Sequence, residues 1–363
     1  MIIAAHIQQT KGSISFLLKY ISGIATEQAS VEFIVFCEAP GATGPLPSNC
    51  RTVLIKRSLK NSLLLHYWLN YTLPGQLKKY KASLFISENN ACSLRTPVPQ
   101  LMVAKQDFTT SASSGTKTVS TRYLKKYFPA FASKAARVCA TNPVLAEELI
   151  SRYPVVKDKT ANIYHGLSEY YGPIDELQQA DVLNKYTDGS HFFVCECNAF
   201  NRIQMVTVLK AFSIFKKRLK SSLQLVLINK LNENPIPDFH LYKYREEVQL
   251  LAGITPQEEA KIVAAAYAAI EISSQQMEND WGLQCMQCKI PLVTVESKVA
   301  RQLYEDAATY TEPDEKTLAD QLMLLYKDET YRSEQIGKGK SIAAPYTWQH
   351  SSQLLWQSIL QCS

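Results

Sequence analysis

Residues 191–227 read HFFVCECNAFNRIQMVTVLKAFSIFKKRLKSSLQLVL. His191–Glu196 and Leu223–Leu227 are short apolar runs, and Gln204–Leu219 between them has the mixed spacing of an amphipathic helix. Two buried strands joined by a crossover helix make a βαβ unit, whose repetition builds a parallel sheet. Working outward, the same alternation continues through Val248–Leu251, Ala269–Ile272, Leu292–Val295 and Thr309–Tyr310 as strands. The stretches Pro256–Tyr267, Leu283–Cys288, Ser297–Tyr304, Glu315–Tyr326 and Thr330–Ala343 read as the helices of this half.

The first half repeats the pattern. Strands are expected at Met1–Ala5, Ser30–Phe36, Thr52–Ile55, Ala82–Ile86, Gln100–Val103, Arg137–Ala140 and Ala161–Ile163, with helices at Ser13–Gly23, Ser62–Lys79, Val119–Lys126 and Pro143–Ser151. Thr141 or Asn142 caps the last of these, with Pro143 at its first position. Residues 167–189 are polar, carry Gly172, Pro173, Asp188 and Gly189, and read as a linker. The expectation is an α/β chain of two doubly wound, Rossmann-like domains, residues 1–168 and 169–347, with a final helix at 348–360 packing back on the first. The two would face each other across a cleft, with ligands at the carboxyl ends of the strands.

Composition narrows the class. The chain has 363 residues, 46% hydrophobic and 20% charged, which excludes disordered, collagen-like and coiled-coil chains. Its net charge of +6 is carried by dispersed residues with short clusters such as Lys216, Lys217, Arg218 and Lys220. That allows contact with phosphates or an anionic membrane surface, whereas a nucleic-acid partner calls for a denser basic face. Met1–Ala5 is apolar too briefly for a signal or a membrane span. Nine cysteines, an odd number, read as free thiols of a cytoplasmic protein. Cys195 with Cys197 and Cys285 with Cys288 have metal-like spacing, yet a C-x-C inside a strand is poorly shaped for zinc.

Several ordered blocks carry a resemblance. Ala252-Gly253-Ile254-Thr255-Pro256-Gln257-Glu258-Glu259 fits "G-x-(V/I)-(S/T)-x-x-E-L", and Ala265–Ala269 fits "L-Y-x-x-A". Ser273-Ser274 stands for "P-S", Trp281-Gly282-Leu283 for "F-G-L", and Cys288–Val293 for "x-G-x-P-V-V". Glu305–Ala308 with Pro313-Asp314 fits "G-D-A-A…x-P-D", and Tyr346-Thr347-Trp348 fits "F-S-W". Ala140-Thr141-Asn142 followed by Ile163–Leu167 fits "V-S…V-I-x-N-G-V". Together, from about residue 60 to the end, these blocks resemble the retaining nucleotide-sugar glycosyltransferases of the GT-B fold, the group 1 or family-four class.

The donor motifs depart from that pattern. The two glutamates that lie near the sugar and on the donor ribose in this class fall at Gln276 and Gln284, both amides. Anchoring on Trp281 instead puts the first at Asn279, and Glu278 is the neighbouring carboxylate able to substitute. A glutamine still hydrogen-bonds a ribose hydroxyl, although Gln284 also reads simply as a polar residue of a first helical turn. In the basic-pair motif, Asn198 to Gln204, Arg202 is kept while Ile203 or Gln204 replaces the lysine. Arg202 would grip a diphosphate, helped by Lys230 or by helix amides near Ser274 and Leu283, with Gly282 alongside.

On the acceptor side, Lys11-Gly12-Ser13 is a short counterpart of the class's glycine-rich loop, or only a helix start capped by Ser13. Pro99–Asp107 fits "P-x-(V/I)-x-x-x-H-D", with Lys105 or Gln106 in place of the histidine and Asp107 as the kept acid. His165-Gly166 lies at the hinge side, where Gly166 would supply a turn. His66, Tyr67 and Trp68 read either as an acceptor groove or as core.

The resemblance implies transfer of a sugar from a nucleotide-sugar donor to a glycan or lipid-linked acceptor with retention. It implies no cofactor or metal, while the cysteines and the dispersed basic charge point to a cytoplasmic protein with no nucleic-acid partner and with peripheral contact at the inner membrane face. The replaced carboxylates give a second reading, a degenerate GT-B protein that binds nucleotide, glycan or a protein partner without turnover. A sugar epimerase on the same architecture would need more carboxylates and histidines than the chain offers.

Overall fold

The computed structural model describes residues 1–7, 15–38, 45–55, 61–88, 90–104, 121–197, 202–229, 242–272 and 280–362. They fall into two compact units, Met1–Gly166 with Tyr346–Ser363, and Leu167–Pro345.

The first unit is built on a seven-stranded parallel sheet of order β3-β2-β1-β4-β5-β6-β7. Its strands are β1 (Ile2–His6), β2 (Glu32–Cys37), β3 (Cys50–Leu54), β4 (Leu84–Ser87), β5 (Gln100–Ala104), β6 (Arg137–Ala140) and β7 (Thr160–Asn162). Both faces are covered, so side-chain alternation divides the strands between two cores rather than between core and water. Ala4, Ile34, Phe36, Phe85 and Met102 face helices that contribute Trp68, Leu73, Phe128 and Leu145. Ile3, Ala5, Phe33, Val35 and Ile86 face Leu17, Ile21, and Leu355 and Ile359 of the final helix, Trp348–Leu360.

The second unit has six parallel strands in the order β10-β9-β8-β11-β12-β13. These are β8 (Phe192–Glu196), β9 (Gln224–Asn229), β10 (Val248–Ala252), β11 (Ala268–Glu271), β12 (Leu292–Val295) and β13 (Ala308–Thr311). The helix Arg202–Leu219 crosses from β8 to β9, burying Met205, Val208, Phe212 and Phe215 against Phe193, Cys195 and Leu225.

Every expected strand is present, and the differences have local causes. The supposed linker contains a helix, Glu176–Thr187, because Asp175 accepts from the Gln178 N–H while the Gln178 side chain returns to the Asp175 N–H. Val182 and Leu183 of that helix are buried. The helix after β1 begins at Phe16 with Ser15 at its cap position, and Ser13 lies outside the described residues. The expected single helix Ser62–Lys79 carries a π-turn at Trp68–Thr72. Among the described residues, no helix is long and apolar enough to cross a membrane.

Candidate functional site

In each unit the chain reverses its direction of winding at one pair of central strands, where α/β sheets open a crevice beyond the strand ends. In the second unit that pair is β8 and β11. The register that pairs Cys195 with Ile270 sets Glu196 beside Glu271 at the carboxyl ends. Glu271 is only 4% exposed. Its Oε2 accepts from the Tyr304 hydroxyl at 2.9 Å and the Thr294 hydroxyl at 3.1 Å. Burial pushes the Glu271 carboxyl up to about 7, with the Glu196 charge adding to the rise against these bonds. Asp280, just before the helix Trp281–Gln287, is raised to about 6 by burial.

Clustered carboxyls that titrate near neutrality at a strand-end crevice mark a candidate site on physical grounds. Sequence reading missed Glu271, the penultimate residue of the apolar run expected as the strand Ala269–Ile272. The signal was available: the run places it at the carboxyl end of a central strand.

Among the predicted donor residues, Arg202 is the exposed first residue of its helix. Two residues on, Gln204 Nε2 donates to the Ile272 carbonyl at 3.1 Å, tying this helix start to the end of β11. Gln284 is half-buried in the helix Trp281–Gln287, where Gly282 and Leu283 are buried. Asn198, Lys230, Ser274, Gln276 and Glu278 lie outside the described residues. Cys195, Cys197, Cys285 and Cys288 are free and buried, and burial pushes the Cys197 and Cys288 thiols up to about 12. Among the described residues, no group of three or more His, Cys, Asp or Glu side chains is placed to hold a metal ion.

In the first unit the reversal lies between β1 and β4. There the Ser15 hydroxyl donates to Glu88 Oε2, and both residues are buried. His6 ends β1 with its ring 4.8 Å from Trp68, and burial lowers its imidazole to about 4, leaving it neutral at pH 7. Sequence reading passed over this group. His165 is held between Phe16, at 4.0 Å, and Trp348, at 4.9 Å. Gly12, Ser13, Lys105 and Asp107 lie outside the described residues.

The aromatic run 66–68 diverges as helical neighbours must. His66 pairs with the Tyr123 hydroxyl at 3.0 Å, Trp68 enters the core, and Tyr67 stays exposed.

The titration of Glu271 gives a first prediction. Its folded value is raised, so its favourable neutral form is fully present below about 4.5 and its contribution is lost as pH rises through about 7. The difference amounts to about 3 kcal/mol. Melting curves of Glu271→Gln should therefore gain on the wild type between pH 5 and 8, leaving a residual slope to which Asp280 and His6 contribute with opposite signs. Parallel curves would exclude this role for Glu271.

No family model matches the chain, and no protein of curated function matches it in sequence. Solved structures do match in fold. A glycosyltransferase from Rickettsia africae shares 11% identity over 99% of this chain and 97% of its own, with a TM-score of 0.70. Sucrose-phosphate synthase from Thermosynechococcus elongatus shares 14% over 99% of this chain and 98% of its own, with a TM-score of 0.67. HepE of Anabaena, solved with UDP and glucose, shares 13% over 99% of both chains, with a TM-score of 0.65. The fold is thus GT-B, shared with glycosyltransferases along the whole chain.

Proposed function

We propose that the chain transfers a sugar from a nucleotide-sugar donor to a glycan or lipid-linked acceptor with retention, as a member of the family-four type with altered donor motifs. The observation that carries this is the full-length match of both parallel sheets to glycosyltransferase structures, one of them holding UDP and glucose. Fold alone does not fix chemistry, so the reading also leans on Arg202, exposed at the head of the helix that leaves β8.

In this reading the second unit binds the donor. Arg202 meets the diphosphate with Lys230, Gln284 meets the ribose, and Asn198, Ser274, Gln276 and Glu278 complete the pocket. The first unit takes the acceptor with Gly12, Ser13, Lys105, Asp107 and His165. With the diphosphate charge met by cations, transfer needs no metal or other cofactor. The protein would work in the cytoplasm at the inner membrane face.

The test is calorimetric titration with UDP, GDP and ADP, with and without their sugars. One nucleotide should bind, and Arg202→Ala should weaken it about tenfold or more, the scale of a lost charge-assisted contact. A folded protein that binds none of them would overturn the donor-site reading.

One observation favours the second reading, a binding protein without turnover. At the place of the missing lysine, Ile203 is exposed and the Gln204 side chain is engaged with the Ile272 carbonyl. Nucleotide binding with no transfer, unchanged by Gln276→Glu and Gln284→Glu, would select that reading.

A further inference from the structure

The net charge of +6 is unevenly divided. The first unit holds 20 Lys and Arg against 8 Asp and Glu, and the second holds 19 against 25, so the units carry +12 and −6. Between Glu38 and Glu147 the chain has 15 Lys and Arg and two acids, Glu88 and Asp107. Glu88 is buried and leaves the surface positive; Asp107 lies outside the described residues.

Within this basic stretch one helical segment is apolar on both sides. The helix Ser62–Tyr67, the π-turn Trp68–Thr72 and the helix Leu73–Lys79 follow one another without a break. Leu65, Trp68, Leu69, Leu73 and Leu77 face the core. Leu63, Leu64, Tyr67 and Tyr71 face water, Leu63 being 77% exposed. The wide π-turn keeps residues four apart in line, and Tyr67 and Tyr71 stack with ring centres 5.2 Å apart. A helix that is apolar all round is normally enclosed, and among the described residues the outer stripe has no cover.

Beside it a groove of about 500 Å³, bordered by Leu54, Leu64, Tyr67 and Tyr80, is flanked by Lys79. Cations surround the stripe. Arg95 sits 4.2 Å over the Tyr71 ring, Lys79 lies 5.4 Å and Arg51 5.9 Å from the Tyr80 ring, and Lys78 is exposed.

We propose that this face, the outer side of residues 62–79 with its basic rim, docks the protein on an anionic lipid bilayer. Leucines enter the acyl boundary, tyrosines sit at headgroup depth and the cations meet lipid phosphates. A nucleic acid would satisfy the cations but leave Leu63 and Leu64 in water. A second copy docked through the same face would set +12 against +12. The proposal deepens the lipid-linked branch of the acceptor reading and rests on it only for purpose. Docking is measured without donor or acceptor, so either can fail alone.

The experiment is co-sedimentation of the full chain with phosphatidylcholine vesicles, with or without about 30% phosphatidylglycerol. Binding should require phosphatidylglycerol and fall at least about tenfold between roughly 0.05 and 0.5 M salt. The variants Leu63→Asn with Tyr71→Ser, and Lys78→Glu with Lys79→Glu, should each reduce binding about tenfold or more. All four side chains are exposed, so melting temperature and nucleotide affinity should hold, and Lys217→Glu in the second unit should bind as the wild type does. Absence of vesicle binding at low salt would overturn the proposal. So would binding that the charge variants abolish and the apolar variants leave intact, which would mark a surface for a soluble polyanion.

Discussion

Gly282→Ala is expected to cost about 3 kcal/mol, most of it from one forced contact. A Cβ at 282 would stand 2.4 Å from Tyr304 Oη, 2.7 Å from its Cζ and 3.0 Å from Leu292 Cδ2. Neither neighbour has room to yield. Tyr304 is fully buried and donates to Glu271, and Leu292 lies in a strand paired on both sides. Either the helix Trp281–Gln287 lifts from the sheet or Tyr304 leaves Glu271. Overpacking costs roughly 1–3 kcal/mol and a buried carboxylate that loses a donor costs a similar amount. For a unit of this size the melting temperature should fall by about 6–12 °C. Loss of the tyrosine bond also removes one of the influences that hold Glu271 down, so the pH slope of stability should move upward with it. Tyr304→Phe in the same background removes the closest atom and should recover part of the loss, a coupling measurable in a double-mutant cycle. An unchanged melting temperature in Gly282→Ala would show that the helix is held less tightly than its packing indicates.

Gly282 also shows what the sequence can reveal. The residue stood out as part of a Trp-Gly-Leu block, but the block is silent on why glycine is needed there. The reason is a tyrosine 22 positions later, brought under the helix by the return of the chain through β12. Strands were legible because parallel strands buried on both faces are continuous apolar runs with sharp polar ends, as at Phe192–Glu196 and Leu292–Val295. The Glu176–Thr187 helix was not, because its three buried positions, Val182, Leu183 and Thr187, make a weak period and its start depends on a reciprocal side-chain cap. Of the candidate site, sequence reading reached the position of Arg202 but not its buried neighbours. Arg202 stands at the strand end where ligands gather, while Glu271, Glu88 and His6 are buried by elements distant in sequence. Their protonation is a property of the folded surroundings.

Gly166 illustrates the same limit with the larger structural consequence. Sequence suggests a turn glycine, yet its backbone is absent from the left-handed region, where among described glycines only Gly189 and Gly253 are found. Its constraint is the final helix. A Cβ at 166 would come within 2.5 Å of Trp348 Cδ2, 2.7 Å of Cγ and 2.8 Å of the Trp348 backbone nitrogen. A side chain can rotate away, but a backbone nitrogen at a helix start cannot, so Gly166→Ala must displace the helix Trp348–Leu360. Trp348 would then leave Phe16, Tyr20 and His165, and Leu355 and Ile359 would be drawn from the core they share with Ile21. A cost of about 3 kcal/mol or more is expected, at the upper end for overpacking, because several apolar side chains lose contact together. Hydrogen exchange is the decisive readout: amides around Leu355 and Ile359 should lose protection first, while those of β8 and β11 in the other unit keep theirs. Uniform loss across both units would mean that the final helix is not the element that Gly166 holds. Trp348→Ala in the Gly166→Ala background should recover little, since the backbone nitrogen remains in place.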